Sequence, residues 1–221
     1  MVVTTRHHSF APHEYYHIYN RGTEKRNIFL NNDDYTRFIE LLYLSNSKYA
    51  VDIRHVRRSY NSVYEFSCED PLVYIGAYCL MPNHFHVLLT PATDGGVEKF
   101  MLKLGTGYSM YFNKRYERTG SLFQGRFKSQ HAQGDEYLKY LFAYIHLNPV
   151  KLIKPDWKER GIGDVYGVKR YLDSYAYSSL PDYISDREES LILCKEKFPR
   201  YFEGKKEIDE ELMSWLAYAE K

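Results

Sequence analysis

The stretch LVYIGAYCLMPNHFHVLLT, residues 72–90, decides the fold of this 221-residue chain. Two apolar runs, Leu72 to Leu80 and His84 to Thr90, flank the sequence Met81-Pro82-Asn83. Because proline has no backbone N–H to donate to a sheet, it belongs in the turn between the two runs. The stretch therefore predicts an antiparallel β-hairpin.

Further strand signals lie on both sides of the hairpin. Glu14 to Tyr19 is short, aromatic and followed by a turn, which is typical of a strand. Weaker strands are predicted over Val51 to Val56 and over Leu122 to Ala132, and the polar stretch 57–70 is interpreted as a loop or hairpin tip.

Helical spacing of apolar residues predicts helices over Asp33 to Leu44, Val97 to Arg118 and Asp135 to Leu147. Asn31 or Asn32 can cap the first helix, and Pro149 ends the last. The order of elements is strand, helix, hairpin, helix, strand, helix. It predicts an α+β fold, a ferredoxin-like antiparallel sheet with helices packed on one face.

The chain changes character near its end, where proline and glycine become frequent and a charged run spans 203–211. We therefore expect one main domain over residues 1–151. Residues 152–221 are expected to form an accessory tail, mostly helical or irregular.

Composition narrows the class of protein. A hydrophobic share of 44% and a charged share of 27% are those of a soluble globular protein. No apolar run is long enough for a membrane span and no signal peptide is apparent, so we expect a cytoplasmic protein. Cys68, Cys79 and Cys194 are scattered, which argues against a disulfide framework or a cysteine zinc site.

His84 and His86 are the first candidate site residues. Residues two apart on a strand project from the same face, so both imidazoles face one point while Phe85 faces the other side. This is half of a transition-metal site. Taken alone, such a pair is more often two partly exposed structural histidines at the edge of a hairpin.

Tyr144 and Asn148 lie four residues apart and share one face of the last predicted helix. One could act as a nucleophile and the other as a metal ligand, since an amide oxygen together with two histidines suits Mg²⁺ or Mn²⁺. The alternative is a core tyrosine beside a helix-ending asparagine. Tyr108, Tyr111, Tyr116 and Tyr140 are other candidate nucleophiles, but they lack a plausible ligand on their helix face.

The segment 98–130 carries seven lysines and arginines but only two acidic residues. It is either a phosphate-binding surface or an ordinary solvated helix face.

The sequence resembles the REP-associated tyrosine transposases, a branch of the single-tyrosine HUH transposases in the insertion-sequence-200-like group. The similar blocks occur in order along the chain: YHIYNRG at 16–22, DDYTRFIELL at 33–42, MPNHFHVLL at 81–89, YFNKRYERTGSLFQGRFKS at 111–129 and YIHLNPVK at 144–151. YAYSSLPDYI at 175–184 resembles a weaker tail motif, with Ala176-Tyr177 where relatives often have Pro-Trp.

The resemblance implies that His84, His86 and Asn148 bind a divalent metal, Mg²⁺ or Mn²⁺, and that Tyr144 is the nucleophile. It favours DNA-backbone contacts for four cations, Arg115, Arg118, Arg126 and Lys128.

The implied activity is cleavage and rejoining of single-stranded DNA beside a REP-like hairpin, through a 5′-phosphotyrosine intermediate. The implied state is a monomer or a homodimer. Two alternatives stay open: a domesticated hairpin-binding protein that no longer cuts, and a metal phosphoesterase that activates water.

Overall fold

A computed structural model describes residues 10–199 and 204–218. Within these ranges the strands are β1 (Tyr16–Arg21), β2 (Val73–Met81), β3 (His84–Pro91) and β4 (Lys128–His131). They form an antiparallel sheet in the order β2-β3-β1-β4. The helices are α1 (Asn32–Leu44), α2 (Ile53–Ser59), α3 (Gly96–Arg115), α4 (Asp135–Leu147), α5 (Val150–Ile153), α6 (Trp157–Arg160), α7 (Val165–Ser174), α8 (Leu180–Ile184) and α9 (Lys205–Tyr218).

The predicted antiparallel, ferredoxin-like sheet is confirmed. The hairpin forms β2 and β3 with its turn at Pro82 and Asn83, and α1 begins after Asn31, whose side chain accepts a hydrogen bond from the Asp34 amide. α3 ends at Arg115, three residues earlier than expected. No helix in the described ranges combines the length and apolar character needed to cross a bilayer.

One of the two weaker strand predictions is wrong, and the other holds only in part. Val51 to Val56 leads into the helix α2 because Asp52 caps it, accepting a hydrogen bond from the Arg54 amide at 2.9 Å. The polar stretch after it holds the end of α2 and a short 3₁₀ turn at Val63–Glu65.

The strand predicted from Leu122 to Ala132 is confined to β4. Upstream of it, Gly125 adopts a left-handed conformation (φ 72°), which interrupts the ladder with β1, and Phe123 retains only an isolated bridge to Gly22.

The two faces of the sheet are covered by different helices. On one face Phe85 packs against Phe38 of α1, with ring centroids 4.9 Å apart, and α3 packs beside α1. The expectation that helices share one face holds for these two. On the opposite face His86 contacts Tyr144 of α4, so this helix covers the side of the sheet that carries the histidines.

The tail closes the outer edge of β2. The Leu80 amide donates to the Tyr177 carbonyl and the Ser179 amide donates to the Tyr78 carbonyl, each at 2.9 Å. Farther along, the Cys194 amide donates to the Ile75 carbonyl at 2.9 Å. These bonds satisfy an edge that would otherwise be open, and tail side chains contribute to the same hydrophobic core as the sheet.

A buried carboxylate, Asp34, joins α1 to α3 on the face away from the histidines. Its side chain is fully buried and accepts hydrogen bonds from the hydroxyls of Tyr111 at 2.9 Å and Tyr116 at 2.7 Å. It also accepts from the Leu30 amide at 2.8 Å. Three donors therefore depend on one carboxylate.

We expect Asp34→Ala to lower the free energy of unfolding by about 3 kcal/mol, because it leaves these donors without their acceptor. Urea denaturation measures the change. The matched control is Asp33→Ala, whose side chain is 72% exposed and pairs with Arg115 at the surface. The control should change the free energy by less than about 0.5 kcal/mol, and equal losses in the two variants would contradict the role of Asp34.

Candidate functional site

The two histidines of β3 face the same cleft between the sheet and α4. Their ring centroids are 4.9 Å apart and their planes are nearly perpendicular. His86 is buried, whereas His84 is partly exposed at the start of the strand. Strand alternation therefore brings both rings to one face of the sheet, as the spacing predicts.

Each histidine uses its Nδ1 atom in a hydrogen bond. His84 Nδ1 lies 2.6 Å from Asn83 Oδ1, and His86 Nδ1 lies 2.8 Å from His17 Nε2 on β1. With hydrogen on Nδ1, each ring presents the lone pair of Nε2. His86 Nε2 is buried and has no hydrogen-bond partner, so this lone pair is available.

All three imidazoles are uncharged near neutral pH. Burial lowers the pKa of His17 to about 4. Burial also lowers the pKa of His84 to about 4, helped by the positive charges of Lys151 and Arg21. The pKa of His86 is lowered well below its usual value by burial and by the other two histidines. Neutral imidazole is the form that binds metals.

Helix α4 supplies the other two candidate residues. Leu138, Leu141 and Ile145 are buried and hold the helix against the core. The Tyr144 ring lies 5.5 Å from the His86 ring, and Asn148 follows one turn later. The Asn148 side-chain amide donates to the Tyr144 carbonyl at 2.8 Å, which leaves Asn148 Oδ1 buried without a partner.

These donors fit a divalent cation. Two buried acceptors, His86 Nε2 and Asn148 Oδ1, have no hydrogen-bond partner, an arrangement that costs free energy unless something binds them. In the part of the chain that the structure describes, no three His, Cys, Asp or Glu side chains gather as metal ligands. A three-ligand set that includes His84 and His86 would need a ligand of another kind, and Asn148 is the predicted one.

The Tyr144 phenol is partly buried. Burial raises its pKa above the usual value and Tyr140 adds to the rise, while the Asn148 side chain acts in the opposite direction. The phenol therefore keeps its proton at neutral pH. The Lys151 ammonium lies over this ring, 5.8 Å from its centroid.

The other candidate tyrosines lie elsewhere, except for one. The Tyr108 hydroxyl donates to the Ile28 carbonyl in the core, and those of Tyr111 and Tyr116 donate to Asp34. Tyr140 stacks on Tyr144 with centroids 6.0 Å apart, one turn earlier on α4. His146 points away from the cleft, as expected, and bonds to Ser179 at 2.8 Å.

The four residues predicted to contact DNA have different surroundings in the structure. Arg115 is engaged by Asp33 at 2.9 Å, and Arg118 donates to Asn113 at 3.0 Å, both near α3. Arg126 lines a groove of about 760 Å³ beside α3. Only Lys128 lines a cleft together with His84. Whether these four bind DNA stays a prediction.

Sequence reasoning missed the residues that surround the histidines from other elements. His17 and Arg21 come from β1, Asn83 from the hairpin turn, and Lys151 from α5. The alternation of His17, Tyr19 and Arg21 along β1 places them on one face, which is a readable signal. That this face is the one bearing His84 depends on the pairing of β1 with β3.

Comparison with known proteins identifies the family of this chain. A model of the family described as "Transposase IS200 like" matches residues 12–148, which include both histidines, Tyr144 and Asn148. The comparison with curated proteins gives no match.

Among solved structures, the chain is similar to a REP-associated tyrosine transposase bound to a REP hairpin. The TM-score is 0.50 at 14% sequence identity, over 83% of this chain and 86% of the other. That likeness supports the fold, and the family match covers more than half of the sequence. The chain therefore belongs to the family of IS200-like transposases.

Proposed function

We propose that this transposase is a metal-dependent enzyme of the HUH class that cleaves and rejoins single-stranded DNA through Tyr144. One observation carries the proposal. The Tyr144 ring contacts His86 on the sheet face where His86 Nε2 is buried without a partner, and Asn148 Oδ1, one turn away on the same helix, is also unpartnered. A nucleophile and candidate cation ligands thus occur side by side.

His84, His86 and Asn148 would hold the cation, Mg²⁺ or Mn²⁺. When bound, it would polarise a nonbridging oxygen of the scissile phosphate and offset the charge that develops there. The neutral imidazoles present nitrogen lone pairs, and His17 and Asn83 hold the two rings through their Nδ1 atoms.

The proposed chemistry conserves the phosphodiester bond energy. Tyr144 Oη bonds to phosphorus as its phenol loses the proton, and the bond between phosphorus and the 3′ oxygen breaks. The leaving oxygen takes up a proton and becomes a 3′ hydroxyl, while the DNA 5′ end remains linked to Tyr144. Attack by a DNA 3′ hydroxyl on this phosphotyrosine rejoins strands without ATP.

A hairpin flanked by single strands is the proposed substrate. The Tyr144 phenol is partly buried against the sheet, and a flexible single strand would reach it more readily than a duplex. The structural relative described as bound to a REP hairpin supports the hairpin part of the proposal.

We expect Tyr144→Phe to abolish a covalent protein–DNA adduct. The assay incubates the protein with labelled hairpin DNA and Mn²⁺ and separates products on a denaturing gel. The matched control is Tyr140→Phe, one turn earlier on the same helix, which should retain the adduct.

Two other results of this assay would contradict the proposal, each in a different way. Cleavage that survives Tyr144→Phe would indicate attack by water, as in a metal phosphoesterase. Tight hairpin binding by the wild type without any cleavage would indicate a domesticated binding protein.

We expect His17→Phe to weaken Mn²⁺ binding about 10-fold to 100-fold, because His86 loses the hydrogen bond that fixes its ring and tautomer. Phenylalanine preserves the ring stacking of His17 with Tyr19 and His86. Isothermal titration calorimetry measures the affinity directly, without reliance on DNA cleavage.

The matched control for this titration is His131→Phe on β4, because His131 pairs with Glu14 and packs on Tyr16, away from the metal ligands. The control should bind Mn²⁺ as the wild type does. Wild-type affinity in His17→Phe would show that His86 needs no such support.

A further inference from the structure

A second cleft opens beside His84, where β1 and the hairpin turn meet the connection that leads into β4. Its volume is about 350 Å³, which lies within the range of small-ligand pockets. Tyr19 forms one wall, and its ring also stacks on His17 at 4.9 Å. Tyr19 therefore lines the cleft on one side and contacts His17 on the other.

The cleft is strongly cationic. Arg21, Lys25 and Lys128 line it, and none of the described residues that line it is acidic. In the sheet, Arg21 lies directly opposite His84, and Lys128 lies opposite Tyr19. Three positive charges from three segments converge beside one candidate metal ligand, so the local potential favours an anion.

The loop that carries Lys25 is held in an unusual conformation. Glu24 and Lys25 both adopt left-handed backbone angles, with φ of 57° and 60°. Such angles cost free energy in residues other than glycine and persist where surrounding contacts impose them. Here the Lys25 carbonyl accepts a hydrogen bond from Asn83 at 3.2 Å, and the same Asn83 side chain contacts His84 Nδ1. The Asn83 side chain therefore links this loop to His84, a candidate metal ligand.

We propose that this cleft binds the phosphodiester next to the one that Tyr144 attacks, with Arg21, Lys25 and Lys128 contacting its nonbridging oxygens. The inference rests on the proposed function. Lysine and arginine contacts to phosphate position a strand without reading its sequence. The cleft would therefore hold the backbone in line with Tyr144 whatever the neighbouring base.

The test compares the salt dependence of DNA binding in the presence of EDTA, so that no metal contributes. Fluorescence anisotropy measures binding of a labelled oligothymidylate to wild type and to the double variant Lys25→Gln/Lys128→Gln. Both side chains are exposed, and glutamine removes their charge while keeping a polar side chain only one atom shorter. Each lost phosphate contact should reduce the slope of log K against log salt by about 0.7 for a single strand.

The matched control is Lys48→Gln, an exposed lysine next to Ser47, which bridges Pro71 at the end of β2 far from the hairpin turn. Its slope should equal that of the wild type. Arg21 is left intact because it also donates to Gln124 at 2.6 Å and its loss could disturb the loop. A wild-type slope in the double variant overturns the proposal.

Neutral methylphosphonate linkages, placed one at a time in the cleaved strand, locate the contact. Neutralising the linkage beside the cleaved bond should weaken wild-type binding and have no further effect in the double variant. If neutralising a distant linkage, and not this one, weakened binding by the wild type but not by the double variant, the assignment would be overturned.

The adduct assay separates this inference from the proposed function. A normal wild-type adduct with unchanged slopes overturns the cleft alone. A lowered slope without any adduct supports the phosphate contacts and overturns the proposed cleavage.

Discussion

The antiparallel pairing of β1 with β3 is the interaction on which the candidate site depends. In this register Arg21 lies opposite His84, Tyr19 lies opposite His86, and His17 is one rung farther along the same face. The side-chain period of a strand is two, so a slip of one residue would exchange the faces and place Phe85 where the histidines are. The hydrogen-bond register between β1 and β3 therefore determines which side chains face α4.

The opposite face of the sheet explains why this register is stable. Phe85 packs against Phe38, and Ile18 and Val87 are fully buried. Burial of these side chains resists any slip that would expose them to water. Asp34 fixes α1 to α3 behind them, and the tail seals the outer edge of β2. The polar, reactive face is therefore supported by an apolar one.

Local patterns were sufficient to predict part of the site. The alternation around His84 and His86, and the four-residue spacing of Tyr144 and Asn148, are properties of single elements that hold wherever those elements pack. Val51 to Val56 was mispredicted because its apolar residues suit a strand or a helix, and the Asp52 cap decides between them.

Contacts between distant segments could not be predicted in this way. His17 lies 69 residues from its partner His86, and only the sheet topology brings the two rings together. Counting charges also failed to show which cations are free, since Arg115 and Arg118 are held by Asp33 and Asn113. The sequence shows how many positive charges a segment carries. The hydrogen-bond and ion-pair partners of each side chain determine which of those charges are available to bind DNA.

The placement of Tyr144 and Asn148 on one helix has a mechanical consequence. One turn of α4 separates them, and the Asn148 side-chain amide donates to the Tyr144 backbone carbonyl, so a displacement of α4 would carry both residues. The histidines belong to the sheet and do not share that movement. A tilt or slide of α4 that withdrew the phenol would withdraw the amide oxygen with it. Under the proposed function, cation binding and the position of the nucleophile would then change together.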